Sequence, residues 1–359
     1  MRKGDAVITV GVDAHKRLHV ARALDDGGRE LSDWRGPNDL LGWQSFSEWL
    51  DQLGADRHIG IEGAWGYGRG LAQHLVDHGE QVYEVNARWT AAGRRTARKS
   101  DKNDRLDAHA VALCVHREGA RLPEVSPEDE TAVLDLLSVE RQSTLAETTR
   151  LRNQIHALLM QLDPQYQVTL PSLKAKSALA VLRSYEAKDA RPLNRERAAV
   201  VQHLAERLVL ALSQADELGE RIRLLASERY APLTEICGVN LLTAGALAGI
   251  LGPGRRFATD AALAAYAGVA PLEASSAGKT RHRLNRGGNR RLNAILYRIV
   301  LTQAHYSEQA RAYLARRVEE GKTKREAMRA LKRYIVRAIW RIWTTCYAVL
   351  QEPVARSAA

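Results

Sequence analysis

Four carboxylates in the N-terminal third have the types and spacing that metal-assisted phosphoryl transfer requires. Asp13 closes a short β-branched apolar run at 6–12, Glu62 closes another at 58–62, and Asp104 and Asp107 open a helical pattern. Neighbouring strand ends in an α/β sheet deliver side chains to one edge. A spacing of three puts Asp104 and Asp107 on one helical face. Four converging carboxylates would repel one another unless divalent cations lay between them. Two such ions about 4 Å apart can bind the attacking and leaving oxygens of a phosphodiester exchange. Hard oxygen donors suit Mg²⁺ or Mn²⁺. Spacing alone leaves rivals open: Asp101 forms a second DxxD with Asp104, and a strand-end Asp often serves a turn or a helix cap.

The elements that would position these acids can be read from the pattern of apolar residues. Strands are expected at 6–12, 19–24, 58–62 and 81–85. Helices are expected at 40–53, 71–78 and 104–116, the last with Leu106, Ala110 and Leu113 on one face. The order β-β-α-β-α-β-α fits an RNase H-like sheet and other α/β folds as well. Pro123 and Pro127 mark a boundary, after which Leu151, Ile155, Leu158 and Leu162 follow helical steps. From Val201 through Leu204, Leu208, Ala211, Ala215, Leu218 and Ile222 to Leu225, steps of three and four alternate without a miss, as in a coiled-coil seam. Joined by a loop at 163–195, these segments suggest a helical hairpin arm or a dimerisation pair. A bundle closed within one chain fits equally. Three parts result: an α/β domain at 1–122, a helical coiled-coil connector at 123–230 and a mainly α, basic domain at 231–359.

The 359 residues carry 53 Lys plus Arg against 42 Asp plus Glu, a net charge of +11. That bias favours a polyanionic partner, because each cation seated on a phosphate releases counterions. No acid occurs between Glu273 and Glu308, while Lys279, Arg281, Arg283, Arg286, Arg290 and Arg291 all fall there. Phosphate contacts are their simplest reading. Trp340 and Trp343 are expected in a core rather than as stacking platforms. Three widely separated cysteines argue against a disulfide framework or zinc site. Without a signal-peptide run or an apolar stretch of about 18 residues, no membrane contact and a cytoplasmic location are expected.

Three segments carry a specific resemblance. VGVDAHK at 10–16, GIEGAWGY at 60–67 and KNDRLDA at 102–108 resemble the N-terminal motifs of the insertion sequence 110 family of transposases. The resemblance implies a RuvC-like, RNase H-fold domain with a DEDD metal site. It selects Asp104 and Asp107 over Asp101, giving Asp13, Glu62, Asp104 and Asp107 as catalytic metal ligands. Farther on, ICGVN at 236–240, Phe257 and AAYAGVAP at 264–271 are similar to that family's C-terminal domain. Gly238 there suggests a helix-hairpin-helix turn that could grip phosphate, with Asn240 where the family usually has Gly. The family's nucleophilic serine maps onto Ser276, with Ser275 the close second, ahead of Gly288-Asn289.

The activity so implied is cutting and rejoining of DNA through a phosphoserine link. Donor and target DNA, a structured guide RNA, and a homodimer or homotetramer are the implied partners. Two other readings stand beside it: a RuvC-like nuclease of DNA junctions or RNA that uses water, and an inactive nucleic-acid-binding protein.

Overall fold

The computed structural model describes residues 7–54, 56–87, 90, 104–189, 191–253, 256–270, 272–273, 282–283 and 287–348. The chain divides into two compact units. One comprises Met1–Thr131, Pro232–Val239 and Ile250–Ala359; the other comprises Ala132–Ala231 and Asn240–Gly249.

The first unit is built on a five-stranded mixed sheet. β1 (Ile8–Ala14), β2 (Leu18–Leu24), β3 (Glu30–Pro37), β4 (Arg57–Glu62) and β5 (Val82–Val85) lie in the order β3-β2-β1-β4-β5. β1, β2 and β3 pair antiparallel, whereas β4 runs parallel to β1 and β5 parallel to β4. The sequence pattern misses β3. Its residues are mostly exposed, with only Trp34 buried, and Arg22 of β2 reaches across to Glu30 and Asp33 at 2.5 and 2.7 Å. Charge pairing on an edge strand leaves no apolar alternation to read.

Both faces of the sheet are covered. α1 (Leu40–Leu53), capped by Asp39, and α2 (Arg69–Asp77) bury Phe46, Leu50, Leu71 and Leu75 against Val10, Val12, Ile59 and Ile61. Each such side chain contributes about 2 kcal/mol when removed from water. α3 (Asp104–Glu118) covers the opposite face. Its buried residues are Asp107, Ala108, Val111, Ala112 and Val115, and Leu106 is 43% exposed. The face expected from Leu106, Ala110 and Leu113 is thus rotated, because the helix seats its small residues on the sheet's glycines. A methyl group on Gly11 would lie 2.1 Å from the Ala112 nitrogen and 2.3 Å from the Ala108 carbonyl oxygen.

In the second unit, α4 (Glu130–Leu162), α5 (Tyr166–Thr169), α6 (Lys176–Arg183) and α7 (Pro192–Arg229) share a core. Leu151, Ile155 and Leu159 meet Val201, Leu204 and Leu208, with Leu179 and Leu182 beside them. The expected loop at 163–195 therefore contains two short helices. The seam of α7 is buried at Val201, Leu204, Leu208, Ala211, Ala215 and Ile222. Toward its end, burial passes from Leu218 and Leu225 to Gly219 and Ala226. A straight helix drifts about 20° per heptad from a 3.5-residue repeat, which shifts the buried stripe in this way. This seam closes inside one chain.

The C-terminal helices are α8 (Leu241–Leu251), α9 (Asp260–Tyr266), α10 (Arg290–Tyr306), α11 (Glu308–Glu319) and α12 (Lys324–Ala348). Between α9 and α10, Leu272–Glu273 (β6) pairs antiparallel with His282–Arg283 (β7). Trp343 is buried and 2% exposed, and Trp340 donates its indole N–H to the Phe257 carbonyl at 3.2 Å, so both serve the core. Among the described residues, no helix is long and apolar enough to cross a membrane.

Candidate active site

Asp13 and Glu62 meet because β1 and β4 are parallel neighbours in register, with these two residues as Cα partners. Such strands lie about 4.8 Å apart. Both side chains share the face of Gly11 and Gly60, since side chains alternate along a strand. On that face a methyl at Gly60 would strike Val115 at 2.2 Å. The absence of side chains at 11 and 60 lets α3 approach closely, and its first turn brings Asp104 and Asp107 to the same strand ends.

Asp13 is 7% exposed and Asp107 6%. Burial pushes the Asp13 carboxyl up to about 6; His15 opposes that rise, and the charges of Asp107, Glu62 and Asp104 add to it. The charges of Asp107, Glu62 and Asp104 thus all reach Asp13. Glu62 accepts the Thr90 hydroxyl at 2.9 Å. His15 joins the acids: its Nε2 lies 3.1 Å from Asp13 Oδ2 and 3.5 Å from Asp104 Oδ1. One donor atom from each of these three residues falls within a span of 4.8 Å.

This donor set fits a divalent cation. Asp13 Oδ2 is buried and accepts no well-aligned hydrogen bond, although His15 Nε2 lies 3.1 Å away, an arrangement that is costly unless something positive completes it. Two carboxylate oxygens with one imidazole nitrogen are donors that a divalent cation accepts. Asn38 braces the surrounding loops, donating to the carbonyls of His15, Lys16 and Tyr67 at 3.4, 3.4 and 3.1 Å. Pattern reading missed His15, Asn38 and Thr90. Only His15 had a local signal, sitting two residues after Asp13.

The C-terminal candidates are placed in part. Ser275, Ser276, Lys279, Arg281 and Arg286 lie outside the described residues, as does Asp101. Arg283 belongs to β7, which with β6 brackets both serines in sequence. Arg290 and Arg291 open α10, whose cap is Asn289, accepting from the Leu292 N–H at 3.0 Å. At the expected hairpin turn, Gly238 has φ +91°, a left-handed value that glycine adopts without strain. Asn240 instead caps α8, accepting from the Thr243 N–H at 2.9 Å.

Comparison with known proteins finds matches in both halves of the chain. The DEDD transposase model of the insertion sequence 110 family matches residues 10–164, and the Transposase IS116/IS110/IS902 family model matches residues 230–315. The insertion element IS110 uncharacterized 43.6 kDa protein of Streptomyces coelicolor is 29% identical, with 92% of each chain covered. The insertion element IS116 uncharacterized 44.8 kDa protein of Streptomyces clavuligerus is 25% identical over 93% of this chain and 94% of the relative. The transposase for insertion sequence element IS1328 of Yersinia enterocolitica is 24% identical over 63% and 65%. These matches make the chain a transposase, a DNA-recombining enzyme. The chain belongs to the IS110/IS116/IS902 family of insertion-sequence transposases.

Proposed function

We propose that this enzyme cuts and rejoins DNA through a phosphoserine intermediate on Ser276, with Asp13, Glu62, Asp104 and Asp107 holding Mg²⁺ or Mn²⁺. The observation that carries the reading is Asp13: a buried carboxylate that accepts no well-aligned hydrogen bond at Oδ2 and feels the charges of three further acids. The antiparallel-then-parallel order β3-β2-β1-β4-β5 supports an RNase H-like assignment. The three-part division at 122 and 230 fits this reading.

The chemistry divides among the residues. Ser276 Oγ attacks phosphorus, forming an O–P bond as the bond to one DNA oxygen breaks. The serine gives up its proton and the leaving oxygen acquires one. A second DNA hydroxyl then attacks the phosphoserine, restores the serine and joins the new strand. Bound cations would neutralise the carboxylates and the phosphoryl oxygens. Lys279, Arg281, Arg283, Arg286, Arg290 and Arg291 hold the DNA backbone.

The covalent link distinguishes this enzyme from a nuclease that uses water. Denaturing gels of reactions on element-end DNA should show a protein-DNA adduct that Ser276→Ala abolishes and Ser275→Ala retains. An adduct lost only in Ser275→Ala would move the nucleophile by one residue. Cleavage by Ser276→Ala at the parent rate would establish water as the attacking group. The proposal extends to a guide RNA and to a homodimer or homotetramer. Sequencing RNA that purifies with the protein, and light scattering with and without it, test both.

A further inference from the structure

Arg22 is a buried cation that the proposed chemistry does not use. It sits on β2 at 9% exposure, with Gly11 of β1 and Asp33 of β3 as its Cα partners, and so shares the face that α3 covers. Its Nε and Nη2 donate to the two carboxylate oxygens of Asp33 at 2.7 and 3.2 Å, and Nη1 donates to Glu30 Oε1 at 2.5 Å. Hydrogen bonding to Arg22 holds the Asp33 carboxyl below its ordinary range, so this acid stays charged. A register shift brings Glu30 to the same face. Ser32 pairs with Ala23 and Glu30 with Leu24, which leaves Leu31 as the extra residue of a bulge. Without that bulge, strand alternation would turn Glu30 to the other side.

Both acids reach onward to α3. Glu30 Oε1 lies 3.4 Å from His109 Nδ1, and Asp33 Oδ2 lies 3.7 Å from Arg105 Nε. Arg105 and His109 are four residues apart, one above the other on the helix. Arg105 directly follows Asp104, and Asp107 falls between the two contacts in sequence. Elsewhere α3 meets the sheet with Ala108, Val111, Ala112 and Val115, over Gly11 and Gly60. Small side chains over glycines allow close approach, but their shallow ridges resist sliding weakly. A slip of one turn would carry Asp104 and Asp107 about 5.4 Å along the sheet.

We propose that Arg22 is a positioning residue. By holding Asp33 and Glu30 against Arg105 and His109, it pins α3 at the height where Asp104 and Asp107 stand beside the ends of β1 and β4. The consequence for cation binding rests on the four-acid reading; the consequence for the docking of α3 does not. Net charge acts in the opposite direction, because removing a cation near an acidic site favours a metal ion there. The sign of a change in metal affinity therefore separates positioning from charge.

Hydrogen exchange and Mn²⁺ binding test this on the full-length chain. In metal-free protein, Arg22→Met should speed exchange in peptides spanning 104–118 about tenfold, with β4 and β5 peptides unchanged. Its Mn²⁺ dissociation constant, followed by electron paramagnetic resonance, should rise about tenfold, as when groups that orient metal ligands are removed. Arg105→Gln alters a side chain that is 65% exposed and keeps the test available if Arg22→Met does not fold. Alone it should weaken Mn²⁺ about threefold, the scale of an exposed ion pair. Combined with Arg22→Met it should cost little more, since both act through Asp33. Exchange unaltered at 104–118 would overturn the proposal, as would tighter Mn²⁺ binding in Arg22→Met or Arg105→Gln. Loosening of α3 in a protein whose parent form binds no Mn²⁺ would leave the docking role standing and remove the four-acid one.

Discussion

His15 Nε2 lies 3.1 Å from Asp13 Oδ2 and 3.5 Å from Asp104 Oδ1, bridging the end of β1 to the first turn of α3. The Asp13–Glu62 spacing is set by strand register, whereas α3 supplies Asp104 and Asp107 from the side. The site therefore depends on sheet pairing and on close helix docking.

The first prediction concerns pH. The Asp13 carboxyl is raised from its ordinary 3.8 to about 6, first by burial. The folded state therefore binds this proton more tightly than the unfolded state. The resulting stabilisation is fully present below about pH 3.8 and lost as pH rises through about 6. It amounts to roughly 3 kcal/mol, at about 1.4 kcal/mol per pH unit. Urea midpoints of the metal-free protein should fall across this window. Asp13→Asn should remove that slope; an identical slope in the variant contradicts the assignment.

Metal preference provides the second. Adding Mn²⁺ at 100 times its Kd should stabilise the fold by about 2.7 kcal/mol. His15→Ala should weaken Mn²⁺ about tenfold in a thermal-shift titration and Mg²⁺ much less, because imidazole suits the softer ion. Equal losses for both metals would mean that His15 only orients Asp13.

Third, Gly11→Ala should cost about 3 kcal/mol in chemical denaturation, because its methyl meets immovable backbone of α3. Gly60→Ala should cost less, since its first obstacle is a valine methyl that can rotate. Mn²⁺ affinity should fall with Gly11→Ala as α3 is pushed off the sheet. Comparable costs at both positions would show that the helix moves freely.

Salt dependence gives the fourth. Replacing Arg290 and Arg291 together by Ser should reduce the slope of log K against log salt by about 1.8 for duplex DNA if each holds one phosphate. Fluorescence anisotropy measures it. An unchanged slope would place both residues away from the backbone.

The acidic strand ends were legible because local order encodes them. Apolar runs that stop at Asp13 and Glu62 predict buried strands that carry these acids to one end of the sheet, and the DxxD spacing predicts one helical face. β3 was illegible because an edge strand held by Arg22, Glu30 and Asp33 lacks an apolar period. The face of α3 was misjudged because its alanines, matched to Gly11, outweigh its larger Leu106 and Leu113. The seam of α7 was legible, and its partner proved to be the chain's own α4.

The sequence by itself determined which residues could carry charge, which runs must be buried and which family motifs are present. The tertiary structure alone decided that His15 joins Asp13 and Asp104, that Thr90 reaches Glu62, and that Arg256 meets Glu84 across 172 residues. Local pattern records the cost of exposing a side chain to water. Contacts between distant segments depend on how whole elements dock, and no neighbouring residue carries a trace of that.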